Sequence, residues 1–470
     1  MHHALESFHR AVTAAGGIVW GPPFLVLLIG TGLFLTVYLR AVQIRQFRHG
    51  LDVIRGKYDR PGETGDLSHF EALSAALSAT IGIGNIAGVA TAIHYGGPGA
   101  IFWMWVVAFV GMATKGVECF LAHRFRVIHG DGTVSGGPMY YIVGGMGPRW
   151  RWLAVTFAFV AAVASLGSAD MVQSNTVSHI LRRDLSLPTW VTGAGLALLV
   201  GVVIIGGIRR IGHVAARLVP AMCVLYMAGG LAILLAHASA VPEALRAIVT
   251  GAFTPQAEAG GFAGATVVAT LTWGAKRGLF SNEAGQGSAP IAHATAKTSE
   301  SVREGIVAGM GPFIDTIVVC TVTALVIVVT GAWTDALDAS GQLLNGAALT
   351  AWAFDRGLSA LFPGGRFIIT LAVPLFAYTT MIGWAYYGDR SVSFLWGPRV
   401  VRAYRVLFVA CAFVGSTLAL PLVWDMADVS NGMMAVPNLV ALIALARFAR
   451  REYDAYEARM ARETSPLRRT

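Results

Sequence analysis

The stretch LSATIGIGNIAGVA, Leu77 to Ala90, places two hydroxyls, Ser78 and Thr80, and the carboxamide of Asn85 among Gly82, Gly84 and Gly88. All of them lie inside an apolar run from Phe70 to Tyr95. Small residues alone would serve close helix packing in a membrane. Polar groups in hydrocarbon, however, are costly unless they meet partners or a cavity. Gly82 and Gly84 flank Ile83, where a helix can unwind without steric cost. Unwinding frees carbonyls at the end of one half-helix, which suit a cation, and N–H groups at the start of the next, which suit a carboxylate. Discontinuous membrane helices hold a small solute and a coupling ion in this way.

A second stretch has the same character: ATVVATLTWGAKRGLFSNEAGQGSAPIAHA, Ala265 to Ala294. Its first half is predicted to end at Thr270, Thr272, Trp273 and Gly274, and its second to run on through Lys276, Arg277, Ser281, Asn282 and Glu283. Polar residues this dense need a protein-lined or aqueous setting. Other chemistries find no support. The sequence has no HExxH, no GxSxG and no CxxC. Cys119, Cys223, Cys320 and Cys411 each fall in an apolar run and read as small buried hydrophobes.

The elements that position these groups follow from composition. The chain is 55% hydrophobic and 13% charged, with mean hydropathy +0.62, whereas about 25% charged residues is usual for a soluble domain. Its apolar runs reach the ~20 residues that cross a bilayer, and they lack the alternation of an outer-membrane barrel. Eleven spans are predicted: a leading one at 21–42, then helix 1 at 70–95, helix 2 at 98–124, helix 3 at 151–181, helix 4 at 188–207 and helix 5 at 213–237. Helix 6 follows at 262–295, helix 7 at 304–331, helix 8 at 366–388, helix 9 at 402–422 and helix 10 at 427–448. The leading span has no basic start and no small-residue cleavage site, so it is expected to be retained.

Three regions result: 1–69 with the leading helix and a basic loop, a core over 70–449, and a solvated tail over 450–470. The two breaks open the two halves of the core, 70–237 and 262–449, as an inverted repeat requires. With the loop 43–69 in the cytoplasm, most of the 35 Lys and Arg fall on cytoplasmic segments, among them Arg45, Arg48, Arg209, Arg210, Arg402 and Arg450. This places the N-terminus outside and the C-terminus inside the cell membrane. Attraction of these basic loops to anionic lipid accounts for the net charge of +9 without a nucleic acid partner. Lys115 and Glu118 are expected to form a local ion pair on helix 2, and Glu283 to close a cytoplasmic gate with Lys276 and Arg277. Asp170 and Asp315 are candidates for ion or proton coupling. Gln173 either reaches the solute or bonds helix to helix.

Taken together with GGPGAIFWMW (Gly96 to Trp105), DGTVSGGPMYYI (Asp131 to Ile142), FIDT (Phe313 to Thr316), YYGDRS (Tyr386 to Ser391) and PNL (Pro437 to Leu439), the two stretches resemble the alanine or glycine:cation symporter family. These sodium:alanine symporters form a branch of the amino acid–polyamine–organocation superfamily. The resemblance implies an all-α polytopic membrane protein with the leucine-transporter fold, a ten-helix 5+5 inverted repeat plus the leading helix. It implies import of alanine or glycine with Na+, or with H+ in some members, and no enzymatic cofactor. One Na+ would lie among the carbonyls of Ser78 and Ile81 and the hydroxyls of Thr379 and Thr380. Thr80, Asn85 and Thr270 would hold a second. The solute carboxylate would meet the amides around Gly82, Ile83, Gly84 and Asn85. Its ammonium would meet the carbonyls of Thr80 and Trp273 and the hydroxyl of Thr272, beside Gly274. Gln173, Trp273 and Trp384 would complete the pocket. A channel, a membrane-embedded enzyme and a transporter-like sensor are the rival classes.

Overall fold

The computed structural model describes residues 2–464 except 61, 131, 257–261, 263 and 419. Helices dominate it, with one short antiparallel hairpin pairing Val127–Ile128 with Val134–Ser135. Among the described residues, six helices are long and apolar enough to cross a membrane, or eight if two bent pairs each count as one span. The six are helix 2 (Ala100–Arg124), helix 3 (Pro148–Leu185), helix 5 (Gly207–Ala236), helix 7 (Ser301–Val329), helix 8 (Arg366–Trp396) and helix 10 (Pro421–Arg462). The bent pairs are the leading helix with the helix before it (His9–Val19 and Pro22–Tyr38) and helix 1 (His69–Thr80 and Gly84–Gly96). The remaining predicted spans are helical but short or interrupted. Helix 4 is Thr189–Ile204 and helix 9 is Val401–Gly415; at 1.5 Å per residue such helices reach only ~24 Å, less than the ~30 Å hydrocarbon core.

Helix 1 breaks where its glycines predict. Its first half is capped reciprocally by Ser68 and Glu71 and ends at Thr80. The chain is extended at Ile81, then resumes as a π-helical segment over Gly84–Gly88 and an α-helix over Val89–Gly96, bent by 51°. Glycine is required at 82 by proximity: a Cβ there would lie 2.3 Å from Thr380 Oγ1. Helix 8 crosses helix 1 at this level, where a Cβ on Gly383 would meet Ala79 Cβ at 2.9 Å.

Helix 6 also breaks, but later than predicted. Thr266 caps a continuous helix over Val267–Asn282, which therefore runs through Thr270, Thr272, Trp273 and Gly274, and the chain becomes helical again only at Ala289–His293. The interruption is built by Glu283, Gly285 and Gly287, all with positive φ (56°, 85° and 86°), a conformation glycine adopts freely. Gly274 serves packing instead, since a Cβ there would lie 2.3 Å from the Ala100 carbonyl of helix 2.

Two further features depart from expectation. A helix over Gly346–Leu358, outside the predicted spans, packs on helix 1, where Thr350 donates to the Ile86 carbonyl at 2.9 Å. The start of the tail is helical, since helix 10 continues to Thr464, and it is less solvated than expected. Tyr453 and Tyr456 on this extension are buried, and Arg45 pairs with Glu457 at 2.9 Å.

Candidate functional site

Both breaks face one central cavity. Helix 1 contributes Thr80, Gly82 and Gly84; helix 6 contributes Phe280, Glu283 and Gln286. Helix 3 adds Ser168 and Gln173, helix 8 adds Thr380 and Trp384, and helix 10 adds Asn431. Free space is about 10 Å³, room for one water, so the cavity is closed around its polar groups. π-helical turns cluster here, at Gly84–Gly88 of helix 1, Gly167–Met171 of helix 3 and Phe313–Cys320 of helix 7. Such turns leave backbone groups outside the regular ladder and recur at functional sites.

Freed backbone groups at the helix 1 break find partners. The Gly82 N–H donates to Asn85 Oδ1 at 3.0 Å, and the Ile83 N–H to Gln173 Oε1 at 3.4 Å. Thr323 of helix 7 donates to the Asn85 carbonyl at 2.8 Å. Asn85 Nδ2 donates to Asp315 Oδ1 at 2.6 Å, while Asp315 Oδ2 accepts from Ser281 and Thr316, each at 2.7 Å. Asp315 thereby ties helix 7 to both broken helices.

Thr380 Oγ1 is buried without a hydrogen-bond partner and points at Gly82. Leaving a buried hydroxyl unmet costs about 1–3 kcal/mol, so an oxygen held this way beside freed carbonyls fits a hard-cation ligand. Thr379 is different: its hydroxyl donates to Phe376 in its own helix at 2.9 Å and lies 3.5 Å from Met222 of helix 5. The Ser78 hydroxyl likewise bonds back to Ala75 at 2.7 Å. Of the four predicted ligands of the first ion, the Ser78 and Thr379 hydroxyls are therefore engaged within their own helices, and the Thr380 hydroxyl is the one left unmet.

Several predicted members lie elsewhere. Thr270 donates to the Gly96 carbonyl at 2.9 Å, locking helix 6 to the end of helix 1, and does not join Thr80 and Asn85. Thr272 bonds back to Val268, and Trp273 stacks on Tyr95 at 4.4 Å. The displaced break explains all three, because they precede it by two turns or more. Glu283 is a cavity residue rather than a gate: Trp384 Nε1 donates to it at 2.7 Å and Ser288 Oγ at 2.6 Å. Lys276 and Arg277 pair instead with Asp428 of helix 10, at 2.6 and 2.7 Å. Lys115 and Glu118 also part company, the first donating to Asn282 O at 2.8 Å and the second accepting from Asn438 at 2.6 Å.

Above the cavity lies a vestibule of about 490 Å³, lined by Thr91, Tyr95, Trp273, Arg277, Trp424 and Asp428 among others. Its floor is the Arg277–Asp428 pair beside Phe280 and Trp424, whose rings are 5.1 Å apart. The opposite face is sealed more heavily. His69 at the start of helix 1 and His293 at the end of helix 6 both bond to Glu304 of helix 7 at 2.5 Å. The Lys297 N–H also donates to the Leu67 carbonyl at 2.7 Å.

A model of the sodium:alanine symporter family matches residues 5–469. The chain belongs to that family. It is 46% identical over 442 residues to the sodium/alanine symporter AgcS of Methanococcus maripaludis, covering 93% of this chain and 95% of the relative. A Bacillus subtilis relative, the putative sodium/proton-dependent alanine carrier protein YrbD, is 34% identical over 465 residues, covering 97% and 94%. A crystal structure of MhsT in complex with L-phenylalanine superposes with TM-score 0.55 at 12% identity, over 81% of this chain and 90% of that one. This shows a shared fold, the leucine-transporter fold. As a sodium:alanine symporter family member, the protein is a multi-pass membrane transporter coupling amino acid movement to a cation. Sequence reading missed four of the groups that line the central cavity: Ser168, Phe280, Gln286 and Asn431. The run NEAGQG carried the available signal, since it packs more glycine and polarity together than TLTWG.

Proposed function

We propose that this symporter imports a small neutral amino acid, alanine or glycine, coupled to Na+. Its N-terminus would lie outside and its C-terminus in the cytoplasm, so that the vestibule opens outward. The observation that carries the reading is the convergence of both helix breaks on a cavity walled by Phe280 and Trp384. Bulky aromatic walls limit the side chain admitted, and the freed backbone ends complement a zwitterion. The carboxylate meets the amides at Ile83 and Gly84, displacing the long contact from Gln173, while the ammonium meets the Thr80 carbonyl and Glu283. Na+ takes the carbonyls of Ser78 and Ile81 and the Thr380 hydroxyl. Solute enters when the Arg277–Asp428 pair and the Phe280–Trp424 contact separate.

Proteoliposome uptake of a neutral amino-acid panel under imposed Na+ or H+ gradients tests the proposal. Concentrative uptake of alanine or glycine driven by Na+ is expected; uptake confined to large or charged solutes would overturn it. A proton-coupled variant has one observation in its favour. Asp170 on the helix 3 π turn is buried with neither carboxylate oxygen hydrogen-bonded, an arrangement that suits the neutral acid. Uptake driven by a proton gradient alone would select that variant.

A further inference from the structure

Lys115 is 1% exposed in the middle of the protein, on helix 2. Its ammonium donates to Asn282 O at 2.8 Å and lies 3.4 Å from Thr80 Oγ1. These two residues share a special position: Thr80 is the last helical residue before the helix 1 break, and Asn282 the last before the helix 6 break. Helix 7 closes the third side, where a Cβ on Gly311 would lie 3.6 Å from Nζ. The C-terminal end of a helix carries partial negative charge and favours a cation. Here two such ends converge on one ammonium. The oxygens that accept from it, a backbone carbonyl and a threonine hydroxyl, are also of the kind an alkali cation takes. Both hydrogen bonds of the ammonium among the described residues go to neutral oxygens.

We infer that Lys115 is a positioning residue, a tethered cation that holds the ends of both broken half-helices together and occupies a place that would otherwise be filled by one more coupling ion. The inference rests on the Na+-coupled reading for its transport consequences. Being part of the chain, this charge does not leave with the solute, so it lowers the number of ions carried per cycle. Removing it leaves the ends of two half-helices, at Thr80 and Asn282, without the cation between them. An extra Na+ restores the balance.

The test compares Lys115→Gln, which keeps a hydrogen-bond donor and loses the charge, with Lys115→Arg, which keeps the charge. Alanine uptake and charge movement are measured in proteoliposomes against Na+ concentration, and thermal stabilisation by Na+ is measured on the purified proteins. For Lys115→Gln the Hill slope for Na+ is expected to rise by about one and the charge per alanine by about one elementary charge. Lys115→Arg is expected to restore the wild-type slope whatever its turnover. If Lys115→Gln is inactive in uptake, a steeper Na+ dependence of its melting temperature still supports the inference. An unchanged dependence overturns it. So does an arginine variant that shares the glutamine phenotype, or failure of both variants to fold, since either makes the residue a packing element. Should the wild type take up no alanine under a Na+ gradient, the transport reading falls, and the melting data alone decide the role of Lys115.

Discussion

Thr379 and Thr380 are neighbours on helix 8 with different surroundings, and that difference can be tested. The Thr380 hydroxyl has no partner and faces Gly82, whereas Thr379 donates to Phe376. Thr380→Val removes an ion-facing oxygen with little change of shape. A loss of about 1–3 kcal/mol raises the Na+ requirement by one to two decades, with transport recovering at saturating Na+. Thr379→Val should stay near wild type. Equal effects of the two substitutions on the Na+ dependence of uptake would place the ion elsewhere. Gly84→Leu tests the solute side: a Cβ at 84 already lies 3.1 Å from Phe280 Cδ1, so a leucine fills the closed cavity. Uptake should vanish in a mutant that still inserts and folds, and wild-type affinity would refute the placement. Of the residues that line the cavity, Thr80, Gly82 and Gly84 stand out in the sequence, because polar and glycine residues in an apolar run demand a reason; Gln173 was left between solute and helix contact, and Thr380 and Trp384 came from the family resemblance. Thr272, Trp273 and Gly274 satisfied the same pattern for a different one. Sequence does not distinguish a glycine that lets two helices touch, as Gly274 does, from glycines that supply positive φ, as Gly285 and Gly287 do.

At the scale of elements, the breaks themselves were readable but their closures were not. Two cations in an apolar run, Lys276 and Arg277, announce a buried anion without naming it, and Asp428 lies some 150 residues away. Asp428→Asn leaves the buried Arg277 and the partly buried Lys276 without their anion, a loss that in buried pairs costs about 3–5 kcal/mol. The expected outcome is a lower melting temperature together with faster modification of Ser168→Cys in the cavity by a membrane-impermeant thiol reagent. Unchanged labelling would show that Arg277 and Asp428 do not control access. On the opposite face Glu304→Ala removes the acceptor shared by His69 and His293. It should destabilise that seal, read as increased labelling of Ser168→Cys from the cytoplasmic side; labelling unchanged there would leave the His–Glu–His cluster as packing only.

Across the whole molecule, hydropathy located the helical spans because each must bury or present apolar side chains over much of its length. Counting crossings is harder, since helices 4, 6 and 9 are shorter than a bilayer or interrupted, and the break that ends helix 6 at Asn282 also supplies Glu283 and Gln286 to the central cavity. The helix over Gly346–Leu358 escaped notice because it covers helix 1 from one side and needs no continuous apolar run. The most direct test of the central claim is radiolabelled alanine and glycine uptake into proteoliposomes of the purified protein, with Na+ and H+ gradients imposed separately. The expected result is accumulation above equilibrium with an inward Na+ gradient, none without Na+, and loss of the response in Thr380→Val at low Na+. Accumulation driven by protons with Na+ absent, or no accumulation of either amino acid under any gradient, would contradict it.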